Sequence, residues 1–161
     1  MATPAYMSLW DDKNNRIMGT CQVVGREDTI EIYGFHHEVR IPTDEDTGTL
    51  TATRKHGNFV VLKDFCPATP ILLKACASGS TFKELRLSWY RIEEGGSEVE
   101  YFRHALFDVK VVSVKAKVQD VKDKTTEYLG HREETAFRYK KIRWSYLDGN
   151  IETEDEWIIR A

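Results

Sequence analysis

The chain has little of what marks a membrane, signal-bearing or metal-binding protein. Among its 161 residues no apolar run approaches the ~18 that a membrane span needs. The opening MATPAYMSLW has no basic segment followed by a long apolar one, so no cleavable signal peptide is expected. Cysteine is scarce and odd in number, and Cys21, Cys66 and Cys76 form neither a CxxC nor a metal-finger spacing. Free thiols in a reducing cytosol are the expectation. Excess positive charge is also missing: a formal net charge of -3 argues against nucleic acid, whose binders usually carry a basic face. GxSxG, P-loop and GxGxxG motifs are absent, which removes the sequence signatures of a nucleophile elbow and of nucleotide cradles. No repeat, low-complexity tract or linker interrupts the chain, so a single domain over 1–161 is expected.

What is present is alternation. In FKELRLSWYRI (82–92), Leu85, Leu87 and Trp89 share one face while Glu84, Arg86 and Ser88 share the other, which predicts a half-buried strand. EGGS (94–97) supplies a glycine turn, and a second strand starts at Glu98, so the pair reads as a hairpin. That second strand is very long. Val99, Tyr101, Ala105, Phe107, Val109 and Val111 share one face, after which the apolar positions become Val112, Val114, Ala116 and Val118. A slip of one residue sends every later side chain to the opposite face, so a bulge or bend is expected near Val111. TAFRYKKIRWSYL (135–147) slips in the same way, from Phe137 and Tyr139 to Ile142, Trp144 and Tyr146. Bent strands serving two sheets predict a barrel or an orthogonal sandwich; covering of both faces, one by a partner subunit, would give the same pattern.

One stretch departs from alternation. DFCPATPILLKACASG (64–79) predicts the lone helix, with Thr69 as cap, Pro70 in the first position, and Gly79 just past the end. Ile71, Leu72, Ala75 and Cys76 form its apolar stripe, so Cys76 and the preceding Cys66 read as packing residues. The longest irregular segment, IPTDEDTGTLTATRKHG (41–57), has an acidic tip at Asp44, Glu45 and Asp46 and a basic return at Arg54, Lys55 and His56. Loops of that length are usually functional or mobile.

No catalytic or metal constellation is legible. His36 and His37 are neighbours on a strand and point to opposite faces, so they do not clamp one metal. His104 and His131 have no HxH or HExxH companions, and HREE (131–134), beside Gly130, reads as a solvated turn. A Cys66–His37 pair brought together in space stays open. Basic residues interleave with aromatics in FRYKKIRW, as in some single-strand nucleic-acid binders, but a two-faced strand is the stronger reading.

The order of these pieces resembles the haemolysin-coregulated protein (Hcp) family, the tube protein of bacterial type VI secretion. AYMSL resembles its opening strand, and IEIYGFHHEVRIPTDEDTG its second strand and extended loop. RKHGNFVVLKDFCPATPILLKACASG resembles its most recognisable segment, with LRLSWYR and FRYKKIRWSY as the later paired strands. The regions 11–28 and after Gly149 match poorly. The resemblance implies a mainly β fold: two packed β-sheets in a barrel-like sandwich with one lateral helix. It implies rings of six that stack into a tube, partnered by sheath and spike proteins and carrying small effectors in the lumen. It implies no catalytic residue, cofactor, metal, nucleic-acid partner or membrane insertion. The protein would be cytoplasmic before assembly and then exported. The strand over 29–41 would place Tyr33, Phe35, His37, Val39 and Ile41 in the core, and Gly34, His36, Glu38 and Arg40 on the channel side. Gly34, His36 and Glu38 are then candidate effector-binding residues, with histidine where the family typically has a small polar or acidic residue. Asp44, Glu45, Asp46, Arg54, Lys55 and His56 would reach a neighbouring subunit or ring. The alternative reading is a small-ligand-binding β-barrel or an enzyme with a Cys–His site.

Overall fold

The structure, a computed structural model, describes residues 3–157. The chain runs β1 (Ala5–Asp11), β2 (Arg16–Ile17), β3 (Ile30–Ile32), β4 (Gly34–His36), β5 (Val39–Arg40), β6 (Lys55–His56) and β7 (Phe59–Asp64). It continues with α1 (Ala68–Ser78), β8 (Thr81–Ile92), β9 (Glu98–Val118), a 3-10 turn (Glu127–Leu129), β10 (His131–Arg138), β11 (Lys141–Tyr146) and β12 (Ile151–Glu156). Ten strands form one sheet in the order β2-β1-β8-β9-β10-β7-β4, with β3 joining β1, β11 joining β9, and β12 joining β11. The pair β5–β6 stands apart.

β9 has 21 residues and serves two half-sheets. Its first half pairs with β8 and β11, and its second half with β10. The two halves fold over a common core, so the fold is sandwich-like and does not form a closed barrel among the described residues. In the first half, Ile17, Leu9, Leu85, Leu106 and Ile142 make one apolar row across five strands. Ile30, Met7, Leu87, His104 and Trp144 make the next. In the second half, Phe59, Phe137 and Val111 form a row that closes the core from the other side.

Two phase slips make this possible. The register between β10 and β9 shifts between Ala136 and Phe137, with Val112 as the extra residue, where the alternation predicts a bulge. An earlier slip lies at Asp108, whose φ of 54° is one that aspartate tolerates better than most residues. It corrects the expected face of β9: Phe102, His104 and Leu106 look inward before Asp108, and Val109 and Val111 after it. Val99 is exposed, and Phe107 lies beneath the cations of Lys141 and Arg143.

Other expectations change for similar reasons. The segment 29–41 is three short strands. Ile30 and Ile32 face the core beside β1, and then the chain crosses to β7, where the Tyr33 N–H donates to the Leu62 carbonyl. Tyr33, Val39 and Ile41 are therefore exposed, while Phe35 packs against the core. The stretch 135–147 is two strands joined at Tyr139 and Lys140, one in each half-sheet. The helix begins one residue before Thr69, with Pro67 at the cap and no side-chain cap bond. Its buried face is Ala68, Thr69, Leu72 and Ala75, so Ile71, one position round the helix, is exposed. Gly79 ends it at φ 72°, its N–H donating to the Ala75 carbonyl.

The core also encloses polar groups, among them Lys63, Glu133 and His104. Lys63 and Glu133 face each other across β7 and β10, both fully buried, with Nζ 2.6 Å from Oε1. Nζ also donates to Thr69 Oγ1 (3.1 Å), to the Asp64 carbonyl (3.2 Å) and to Cys66 Sγ (3.2 Å). Thr69 Oγ1 in turn accepts the Cys66 N–H, so its hydroxyl ties the helix to the strand. HREE is thus strand, not a solvated turn. Farther along, His104 lies among Phe35, Phe59, Trp89 and Phe102, and Trp89 Nε1–H donates to its Nδ1 at 2.9 Å. Burial, reinforced by the nearby His37, lowers its pKa to about 4.

Lys63→Met leaves a buried carboxylate without its cation and should lower stability by about 3–5 kcal/mol. Lys63→Met combined with Glu133→Leu should recover most of that loss in chemical denaturation, since Glu133 Oε2 has no hydrogen-bond partner even in the pair. Equal destabilisation by the single and double variants would contradict this. His104 gives a pH signature. Unfolded, it takes up a proton below about pH 6.5; folded, it resists until about 4. Its contribution is full above 6.5 and is lost as the pH falls toward 4. His104→Leu should flatten the stability slope across that window, and an unchanged slope would refute the assignment.

Candidate functional site

The outer face of the second half-sheet is polar and continuous across four strands. Registered pairing places His36, Val60, Ala136 and Ser113 in one row. Gly34, Leu62, Glu134 and Lys115 make the next. A depression of about 430 Å³ runs over this face, lined by His36, Glu38, Asn58, Ser113, Lys115 and Glu134 among others. Val60 and Ala136 are buried and Leu62 is half-buried beside Gly34, so charged and hydrogen-bonding groups dominate the exposed part of this face. Gly34 packs closely on β7: a Cβ there would meet the Leu62 side chain at 3.1 Å. Of the three candidate effector-binding residues, His36 and Glu38 are exposed and Gly34 is partly covered. Glu38 pairs with Arg40 at 3.3 Å, both side chains being exposed.

The long loop leaves this face through β5 and returns through β6, where Val39 pairs with His56 and Arg40 with Lys55. A bridge between Thr43 and Leu50 closes its outer part. Asp44 turns its carboxylate back on the tip, accepting the N–H groups of Asp46 (2.8 Å) and Thr47 (3.1 Å). Those N–H groups hold its carboxyl below the usual range. Glu45 and Asp46 remain exposed at the tip, and Lys55 is exposed on the return.

The rest of the basic return is used inside the chain. Arg54 Nε lies 2.7 Å from Asp155 Oδ2, and its Nη2 donates to the Glu156 carbonyl at 2.7 Å. His56 is buried, with Nε2 2.6 Å from Asp155 Oδ2 and Nδ1 2.6 Å from the Tyr139 hydroxyl. Tyr139 Oη is also 2.8 Å from His37 Nε2. Burial raises the Asp155 carboxyl, but Arg54 and His56 outweigh it and hold the group below its usual range. Tyr139 and Asp155 are thus the residues that sequence reading does not single out. Tyr139 shows only as an apolar position, and Asp155 lies in the acidic run IETEDE (151–156).

Nothing brings Cys66 to His37. Cys66 bonds to Lys63 and Thr69, whereas His37 bonds to Tyr139 and packs on His56 and Phe59. The three cysteines are free. Among the described residues no group of three or more His, Cys, Asp or Glu is arranged to hold a metal ion, and no helix is long and apolar enough to cross a membrane.

Comparison with known proteins agrees with this geometry along nearly the whole chain. The family model described as type VI secretion system effector, Hcp, matches residues 6–146. A protein of Pseudomonas aeruginosa named major exported protein is 33% identical, the match covering 98% of this chain and 96% of that one. Among solved structures, an Hcp protein from the E. coli EAEC 042 pathovar is 41% identical with a TM-score of 0.88, over 97% of this chain and 99% of that one. A secreted Hcp protein from Pseudomonas aeruginosa is 30% identical with a TM-score of 0.79, over 99% and 100%. The paired half-sheets, the side helix and the long loop all fall inside these matches, and the chain belongs to the Hcp family of type VI secretion proteins.

Proposed function

We propose that the chain is a structural subunit of a type VI secretion tube, acting by assembly and not by catalysis. Six copies close into a ring, rings stack, and the tube is propelled by a sheath with a spike at its tip. The subunit is made in the cytoplasm and exported with the tube. The observation that carries this reading is the polar outer face across β4, β7, β10 and β9. Turned toward a common axis, it forms a water-filled wall on which His36, Gly34, Glu38 and their neighbours hold small effector proteins and act as their chaperone. Head-to-tail contacts close into a ring when the rotation between copies permits. Closure also covers strand edges that would otherwise invite aggregation. No cofactor, nucleic acid or membrane enters this account.

In this reading the loop over 41–57 meets the next subunit or ring. Asp44 shapes the tip from within, and Arg54 and His56 fasten the base to β12. Contact with a neighbour then falls to Glu45, Asp46 and Lys55. An exposed ion pair is worth roughly 0–1 kcal/mol, but each contact repeats around the ring. Glu45→Lys with Asp46→Lys should preserve rings, shorten stacked tubes in negative-stain images, and change the salt dependence of stacking. Tubes of unchanged length and salt response would count against the loop as the stacking element.

A further inference from the structure

The hydrogen-bond chain His37–Tyr139–His56–Asp155 joins four separate parts of the fold. They are the β4–β5 link, the β10–β11 turn, the base of the long loop and the edge strand β12. Its distances are 2.8, 2.6 and 2.6 Å in that order. The donor and acceptor rules leave it little freedom. The Asp155 carboxylate only accepts, so His56 Nε2 must carry a hydrogen. When His56 is neutral, its Nδ1 accepts the Tyr139 hydrogen. Tyr139 oxygen must then accept from His37 Nε2–H.

A proton arriving at His56 Nδ1 reverses every bond beyond it. His56 Nδ1–H now donates to Tyr139 oxygen. The Tyr139 hydrogen turns to His37 Nε2, and His37 carries its own hydrogen on Nδ1. His37 changes tautomer without changing charge. Charging both histidines would aim two N–H groups at Tyr139 and leave the buried phenol hydrogen without an acceptor, so the chain takes one proton and not two. Burial pushes the Tyr139 phenol up, which keeps that hydrogen in place. Burial, with His56 nearby, lowers His37 to about 4.

The charges facing His56 set where the proton goes. Asp155 from β12 stands against Nε2 and favours it. Arg54 on the loop, which shares the Asp155 oxygen, opposes it, as does Arg138 on β10, whose Nη1 donates to the His56 carbonyl at 3.0 Å. The Trp157 ring packs on the imidazole at 4.9 Å between centroids. His37 has no carboxylate among its hydrogen-bond and ring partners, which are Tyr139, His56 and Phe59, and the buried His104 lies near enough for a charge on either ring to oppose one on the other.

We propose that this chain is a one-proton latch. A single proton on His56 reverses the hydrogen bonds through Tyr139 to His37, and the same proton turns the His56–Asp155 contact into an ion pair that tightens the loop base against β12. The latch is a property of the single chain and stands whether or not rings stack.

The test uses the full chain with ¹⁵N-labelled histidine, followed by NMR of the imidazole nitrogens between about pH 5 and 8, where histidine titrates. His37 should pass from the Nε2–H to the Nδ1–H form with the same midpoint as His56 protonation. Tyr139→Phe should leave His56 titrating and His37 fixed. Exchange of the Gly57 amide, which donates to the Glu38 carbonyl at 2.8 Å beside the loop base, should slow several-fold as His56 charges, after correction for intrinsic pH dependence. That slowing should vanish in Asp155→Asn. A wild-type His37 that keeps one tautomer, or changes with a different midpoint, overturns the coupling. Gly57 exchange that ignores His56 charge overturns the latch.

Discussion

Everything in this fold hangs on β9 being hydrogen-bonded into two half-sheets at once. Its first half is held between β8 and β11 and its second half lies beside β10. A straight strand of 21 residues would present one face to the core along its whole length and could not close a sandwich. Asp108 and Val112 each advance the phase by one residue. Between them they let Leu106, Val109, Val111 and Val114 all reach the same interior from a strand that is bending around it.

The bend also decides where polar groups end up. The inner surface of the second half-sheet carries Phe35, Val61 and Phe137, with the Lys63–Glu133 pair beneath the helix start. Its outer surface carries His36, Ser113, Lys115 and Glu134. Because side chains alternate along each strand, the apolar inner wall and the polar outer wall are the same residues' neighbours. Two of the buried polar systems lie at seams. One ties α1 to β7, and the other ties the long loop to β12. Each fixes an element whose own backbone pairing is short or absent.

What the sequence made legible was local. The glycine turn after β8, the bulge at Val112 and the glycine that ends α1 are set by a few adjacent residues, and period and turn chemistry reveal them. The polar face of 34–38 was legible too, because alternation marks it. What was hidden depends on contacts between residues far apart in the chain. Glu133 looked like part of a solvated turn because its partner Lys63 is on another strand. His56 looked like one more loop cation, although Tyr139 and Asp155, 83 and 99 residues away, bury it. The inward face of β9 before Asp108 is hidden from the alternation because an aspartate at positive φ leaves no pattern in the sequence. Thr69 looked like a cap because its type and position suit one, but a buried lysine claimed its hydroxyl.

In the proposed tube the polar half-sheet face lines a ring of six copies. Native mass spectrometry of the purified full chain should then give a dominant species of six times the 18.6 kDa chain mass that persists on dilution. A chain that stays monomeric at every concentration, with its polar face open to solvent, would contradict it.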